Sequence, residues 1–104
     1  VGPCGSMDLY AAYRRWSQQN GVARPRESNH FLGRINKLRG WQVRSCHVYA
    51  SEDAMSGTRS QKMVIPDEGV LQKAGHAIKA DQKKVDYFSD HFFRFRRVLN
   101  GDEY

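Results

Sequence analysis

Within Arg26–Trp41, RESNHFLGRINKLRGW, four side chains could hydrogen-bond to the edges of nucleic-acid bases: Asn29, His30, Arg34 and Lys37. Arg and Lys pair with guanine, and Asn with adenine, when all project from one face of a helix lying in the major groove. At 100° per residue, Asn29, His30, Gly33, Asn36 and Lys37 share the outer side, with Arg34 at its border. Phe31, Ile35 and Leu38 form the inner stripe, with Leu32 beside it. Gly33 leaves out a side chain where a ligand's approach to the backbone must be close. Glu27 could accept from cytosine or simply favour the helix dipole. The competing reading of this face is a solvated polar surface with an incidental glycine.

A base reader also needs phosphate contacts to hold its register. Arg24, Arg26 and Ser28 stand at the entrance to this segment, Arg44 follows it, and Thr58 and Arg59 lie in the polar stretch SEDAMSGTRS. The charge distribution points the same way. Residues 1–50 hold eight Lys/Arg against two acids, whereas residues 51–104 hold nine of each, so the net charge of +6 sits in the first half. A basic half joined to a neutral half suggests a polyanion-binding surface on part of the fold.

The elements that must position these groups can be read in order. Residues 1–7, VGPCGSM, read as a vector-derived linker outside the fold. The rest is one domain over 8–104, with a helix–helix–hairpin core at 8–65 and a C-terminal helical extension at 66–104. The first helix spans Asp8–Asn20 and ends at Gly21, with Leu9, Ala12, Tyr13 and Trp16 on its apolar face. The connector VARPRE is kept extended by Pro25, and Ser28 caps a second helix that runs to Arg39 and stops at Gly40. WQVRSCHVYA and QKMVI then read as two strands of a hairpin with a loop of about ten residues. Pro66-Asp67-Glu68 opens a short helix ending near Gly75, with Pro66 in its first turn. A longer one runs from Lys79 to Asn100, with Val85, Phe88, Phe92, Phe95 and Leu99 at heptad spacing.

Helix, connector, helix and hairpin is the order of an α+β winged helix-turn-helix, in which the second helix enters the major groove and the two-stranded wing reaches the flanking backbone. Such folds carry a further helix ahead of the first one found here. Either the chain starts after it, or the C-terminal helices supply that wall of the core.

The remaining residues constrain other functions. Tyr10, Tyr13 and Trp16 could stack on bases, but their helical spacing favours core packing. The stripe Phe88, Phe92, Phe95 and Leu99 is longer than one edge of a small core needs, so part of it is expected to bury against a second copy in a homodimer. His30, His47, His76 and His91 form no metal-binding or catalytic motif, and no phosphate-binding glycine loop occurs. The domain is therefore expected to be non-enzymatic, with no cofactor and no metal. With the leading segment set aside, Cys46 is the only native cysteine, so no disulfide is expected and a reducing compartment is implied. No apolar run approaches the roughly 20 residues that span a bilayer, and no membrane role is expected.

The segments LYAAYRRWSQQNG, FLGRINKLRG and WQVRSCHVY together resemble the C-terminal origin-binding domain of phage and plasmid primase–helicases of the satellite-phage type. The resemblance covers residues 8–65 and is carried by Leu9, Tyr10, Tyr13, Trp16, Phe31, Leu38 and Gly40. It implies a winged-helix module that binds double-stranded DNA at repeated sites of a replication origin. It further implies primase and helicase domains on the same parent chain and work in the cytoplasm of a bacterial host. Its reader helix corresponds to Ser28–Arg39 and its wing to residues 50–60. Two departures stand out: residues 67–104 extend past the common pattern, and Leu32 intervenes between Phe31 and Gly33, where the family places Gly directly after Phe. Two other functions compete with DNA recognition: a winged-helix protein-interaction and oligomerisation module, and a small basic nuclease built on two histidines and a lysine.

Overall fold

The computed structural model describes residues 2–52 and 57–101. It is an α+β fold of four helices and a three-stranded antiparallel sheet. The elements are β1 (Cys4–Gly5), α1 (Ser6–Gln19), α2 (Ser28–Lys37), β2 (Trp41–Tyr49), β3 (Thr58–Pro66), α3 (Glu68–Ala74) and α4 (Lys84–Leu99). The strands lie in the order β1-β3-β2, so β3 is central and β2 is an edge. No helix among the described residues is long and apolar enough to cross a membrane.

The core forms where α4 crosses one face of the hairpin. Cys46 and Val48 of β2 and Met63 and Ile65 of β3 meet Tyr87, Phe88 and Phe92, with Phe93 packed alongside. Strand residues alternate between faces, so Val64 and Pro66, both buried, point to the opposite side, where α1 packs on β3 and α2 on β2. The sheet is thus sandwiched between α1–α2 and α4. Of the two possible sources of the missing wall, α4 is the element found packed on the sheet.

Several expectations are corrected here. The leading segment is not outside the fold. Cys4 and Gly5 pair with Val64 and Met63 in the sheet, and Ser6, buried, already begins α1. Gly5 lies so close to α4 that a Cβ there would stand 2.5 Å from Phe92 Cε1. Periodicity misses this strand because two residues cannot display a period of two. Phe88 and Phe92, expected at a dimer seam, are 8 % and 0 % exposed in the chain's own core, while Phe95 and Leu99 remain half-buried. Trp16, expected in the core, is 54 % exposed. The long helix starts at Lys84 rather than Lys79, and the Tyr87 hydroxyl donates to the His76 carbonyl at 2.7 Å to pin the preceding loop.

At the turns, local chemistry prevails. Gly21, Gly40, Gly57 and Gly75 all take positive φ, the left-handed conformation glycine adopts without penalty. Asp67 caps α3, its Oδ1 accepting from Val70 N–H, and Pro66 ends β3 instead of standing in the first turn of the helix. β3 runs longer than expected, from Thr58 to Pro66, while β2 ends at Tyr49, one residue short of the expected Ala50, whose N–H donates to Gly57 O beyond the ladder. Residues 53–56 of the expected wing, including Asp53, lie outside the described residues.

Candidate nucleic-acid interface

The helix α2 is mounted by aromatic rings and two tyrosine hydroxyls. Phe31 stacks on Tyr13 of α1, with centroids 4.4 Å apart, and Tyr10 tilts against it at 5.9 Å. The Tyr10 hydroxyl donates to the Arg26 carbonyl at 2.8 Å, and the Arg26 N–H donates to the Tyr13 hydroxyl oxygen at 2.9 Å. Both main-chain groups of Arg26 are therefore held by α1, which sets the entry of the chain into α2. At the other end the Val43 N–H donates to Asn36 Oδ1 at 2.8 Å, tying α2 to the edge of β2. Asn36 is thereby corrected from the outer face to a structural role.

Ser28 is also corrected. It is the first residue of α2, and the N-cap position belongs to Glu27, with no side-chain cap bond. The helix ends at Lys37, so Leu38 leaves the inner stripe and is 52 % exposed. Asn29 Oδ1 accepts from the His30 N–H at 2.9 Å, which leaves its amide nitrogen as the donor that can face a ligand.

The outer face of α2 gathers most of the residues assigned to it. Arg26, Asn29, His30, Gly33, Arg34 and Lys37 line one shallow depression of about 290 Å³. All five expected base-contacting positions are present, joined by Arg26 from the connector. This fixes the phase of the helix: Leu32 is half-buried on the inner side and Gly33 is exposed. A Cβ at Gly33 would meet nothing within 4 Å, so no packing inside the chain requires glycine there.

The remaining phosphate candidates separate. Arg24 is exposed on the connector. Arg44 stands over the Phe88 ring, 5.6 Å from its centroid, on the α4 side of the sheet. Arg59 lies opposite Val48, and side-chain alternation puts it on that same face, away from α2. The exposed Lys62, opposite Ser45, takes the α2 side, while Thr58 lies opposite Tyr49, whose hydroxyl reaches Asp86 of α4. Sequence reasoning misses Lys62, since register alone decides which face a hairpin lysine takes.

Charge pairing separates the two halves further. Among the described residues, the ion pairs are those of Arg94 with Asp90, Arg96 with Asp8 and Arg97 with Glu52, all made by α4 arginines. None of Arg24, Arg26, Arg34, Lys37 or Arg39 pairs with a carboxylate there. Glu52 turns from the hairpin loop toward α4 and, with Asp86 and Asp90, borders a depression of about 440 Å³ that also holds Tyr49 and Arg97. The Tyr49 hydroxyl donates to Asp86 Oδ1 at 2.5 Å, and that bond pushes the phenol above its ordinary pKa.

Of the histidines, His76 and His91 meet edge-on at 5.5 Å between centroids, with His91 also against Tyr87 at 4.7 Å. Burial lowers the pKa of His91. This is an aromatic packing cluster, and neither ring borders the depression on α2. Cys4 and Cys46 are free and buried, and no group of three metal-ligating side chains occurs among the described residues. Comparison with protein-family models, curated proteins and solved structures found no match to this chain.

Proposed function

We propose that this protein is a sequence-specific double-stranded DNA-binding module of the winged-helix type, with α2 as its reader. The observation that carries this reading is the convergence of Arg26, Asn29, His30, Arg34 and Lys37 around the gap at Gly33, free of carboxylate partners among the described residues. Unpaired cations on one face attract phosphate, and the donors and acceptors between them match base edges. The sheet order β1-β3-β2, with two helices between β1 and β2, supports the winged-helix assignment. The resemblance of residues 8–65 adds a setting: repeated sites in a replication origin, with primase and helicase domains on the parent chain. In support, Tyr10, Tyr13 and Phe31, which carry part of the resemblance, clamp α2, and Gly40, which also carries it, takes a left-handed conformation at the turn into β2.

The test is selection of a preferred duplex from a random pool, then titration of selected duplex, random duplex and single strand at two salt concentrations. Arg34→Ala should cost about 1–3 kcal/mol on the selected site and relax specificity at one position. Equal losses on selected and random duplexes would reassign Arg34 to the backbone, and failure to enrich any sequence would end the proposal.

A second reading has its own observation. Trp16 and Val98, 54 % and 46 % exposed, border an apolar groove with Ala12, Phe95 and Leu99 between α1 and α4. An interaction or homodimer surface would use this groove in place of the buried Phe88 and Phe92. Sedimentation of wild type and Trp16→Asp at rising concentration decides it: a monomeric wild type removes self-association.

A further inference from the structure

The free edge of β2 is blocked at both ends and open in the middle. The ladder to β3 uses alternate residues of β2, as the flanking bonds Asp67 N–H to Gly40 O and Ala50 N–H to Gly57 O show by parity. Val43, Ser45, His47 and Tyr49 therefore direct their main-chain groups outward. The Val43 N–H is taken by Asn36 Oδ1 and the Tyr49 N–H by Ser89 Oγ, both at 2.8 Å. Among the described residues, nothing accepts from the N–H groups of Ser45 and His47 between them.

Beside this window lies a groove of about 380 Å³ between the strand edge and the first turns of α4. Cys46, Val85 and Phe88 form its apolar part, Arg44 and Lys84 flank it, and no carboxylate lines it. A strand edge beside a helix, with open main-chain donors, an apolar floor and a charged rim, is the geometry in which an extended peptide adds as a further strand. We infer that this groove binds an extended, acidic peptide segment, which pairs with Ser45 and His47 and sets carboxylates against Arg44 and Lys84. A second copy of the chain would bring the same two cations against themselves, which disfavours pairing of like edges. The surface is separate from the outer face of α2 and does not depend on the DNA reading.

The probe is a short blocked peptide alternating valine with glutamate, compared with a lysine version and with a twin N-methylated along one edge. Amide exchange followed by NMR is the readout on the whole chain. Saturating glutamate peptide should slow exchange at Ser45 and His47 by at least about tenfold, with little change at Cys46 and Val48, which are already in the ladder. The N-methylated twin should not do so, and the lysine version should bind more weakly. Ser45→Pro removes one outward donor from an edge position that tolerates proline, and should weaken binding about 2- to 12-fold. Lys84→Glu, which leaves the ladder untouched, should also weaken the glutamate peptide. Unchanged exchange at Ser45 and His47, or equal binding by the N-methylated twin or the lysine version, overturns the inference. So does protection that rises with protein concentration alone, which would assign the edge to a second copy, or protection by duplex DNA alone, which would assign it to nucleic acid.

Discussion

Replacing Gly33 by alanine should move stability and DNA affinity in opposite directions. The position is interior to α2, its φ is not positive, and an added Cβ would have no neighbour within 4 Å. Alanine then exchanges the conformational freedom of glycine for a better helix former without a clash, a stabilisation of about 0.8–1 kcal/mol. For a domain of this size that corresponds to a rise in Tm of roughly 3–8 °C. The same methyl would stand on the floor of the depression shared by Arg26, Asn29, His30, Arg34 and Lys37. If a base edge or sugar approaches the helix there, the methyl displaces it and affinity for the selected duplex falls by about 1 kcal/mol or more, some fivefold. Urea unfolding followed by circular dichroism gives the first quantity, and fluorescence anisotropy with labelled duplex gives the second. A stabilised variant with unchanged affinity would show that DNA does not approach the backbone at Gly33, and a destabilised variant would contradict the open space seen above it.

Three further outcomes test the packing. Gly5→Ala should destabilise by about 1–3 kcal/mol in the same urea assay, because its Cβ would overlap the Phe92 ring at 2.5 Å; wild-type stability would show that the leading segment is not part of the core. Burial pushes the Cys4 thiol up to about 12 and that of Cys46 up as well, so iodoacetamide at pH 8 should label neither in the native protein and both in urea; rapid native labelling at Cys4 would mean that β1 is not held. His91 is held below its ordinary value of 6.5, first by burial and then by nearby Arg94, so the unfolded chain binds the extra proton first as pH falls. Stability should therefore be full above about pH 6.5 and decline below it, with a shallower decline in His91→Asn; equal slopes would remove His91 as the cause.

Much of the scaffold is legible in the sequence because local rules are sufficient. The heptad-like spacing in α4 and the switch from helical to alternating pattern after Gly40 each involve neighbouring residues, and a left-handed glycine marks the ends of α1 and α3. Asn29, His30, Gly33, Arg34 and Lys37 come together on one face because a single helix carries them all. Where a grouping needs a partner from elsewhere in the chain, periodicity misleads. Trp16 satisfies the apolar period of α1, yet the stripe it belongs to turns off the core at that point and leaves the indole more than half exposed. Phe88 and Phe92 look available for a second copy because the depth of the hairpin beneath α4 is not written in the helix itself.

The amino-acid order by itself determined where the chain turns, which longer stretches are helix or strand, and that the excess positive charge lies in the first half. Those properties follow from backbone preferences and periodicity within a few residues. Only the tertiary structure decided that Cys4–Gly5 joins the sheet and that Arg44 and Arg59 face away from α2. It also decided that Asn36 and Ser89 close the ends of the β2 edge while leaving Ser45 and His47 open. Each of these depends on strand register and on which helix covers which face, and both are set by contacts between segments distant in sequence.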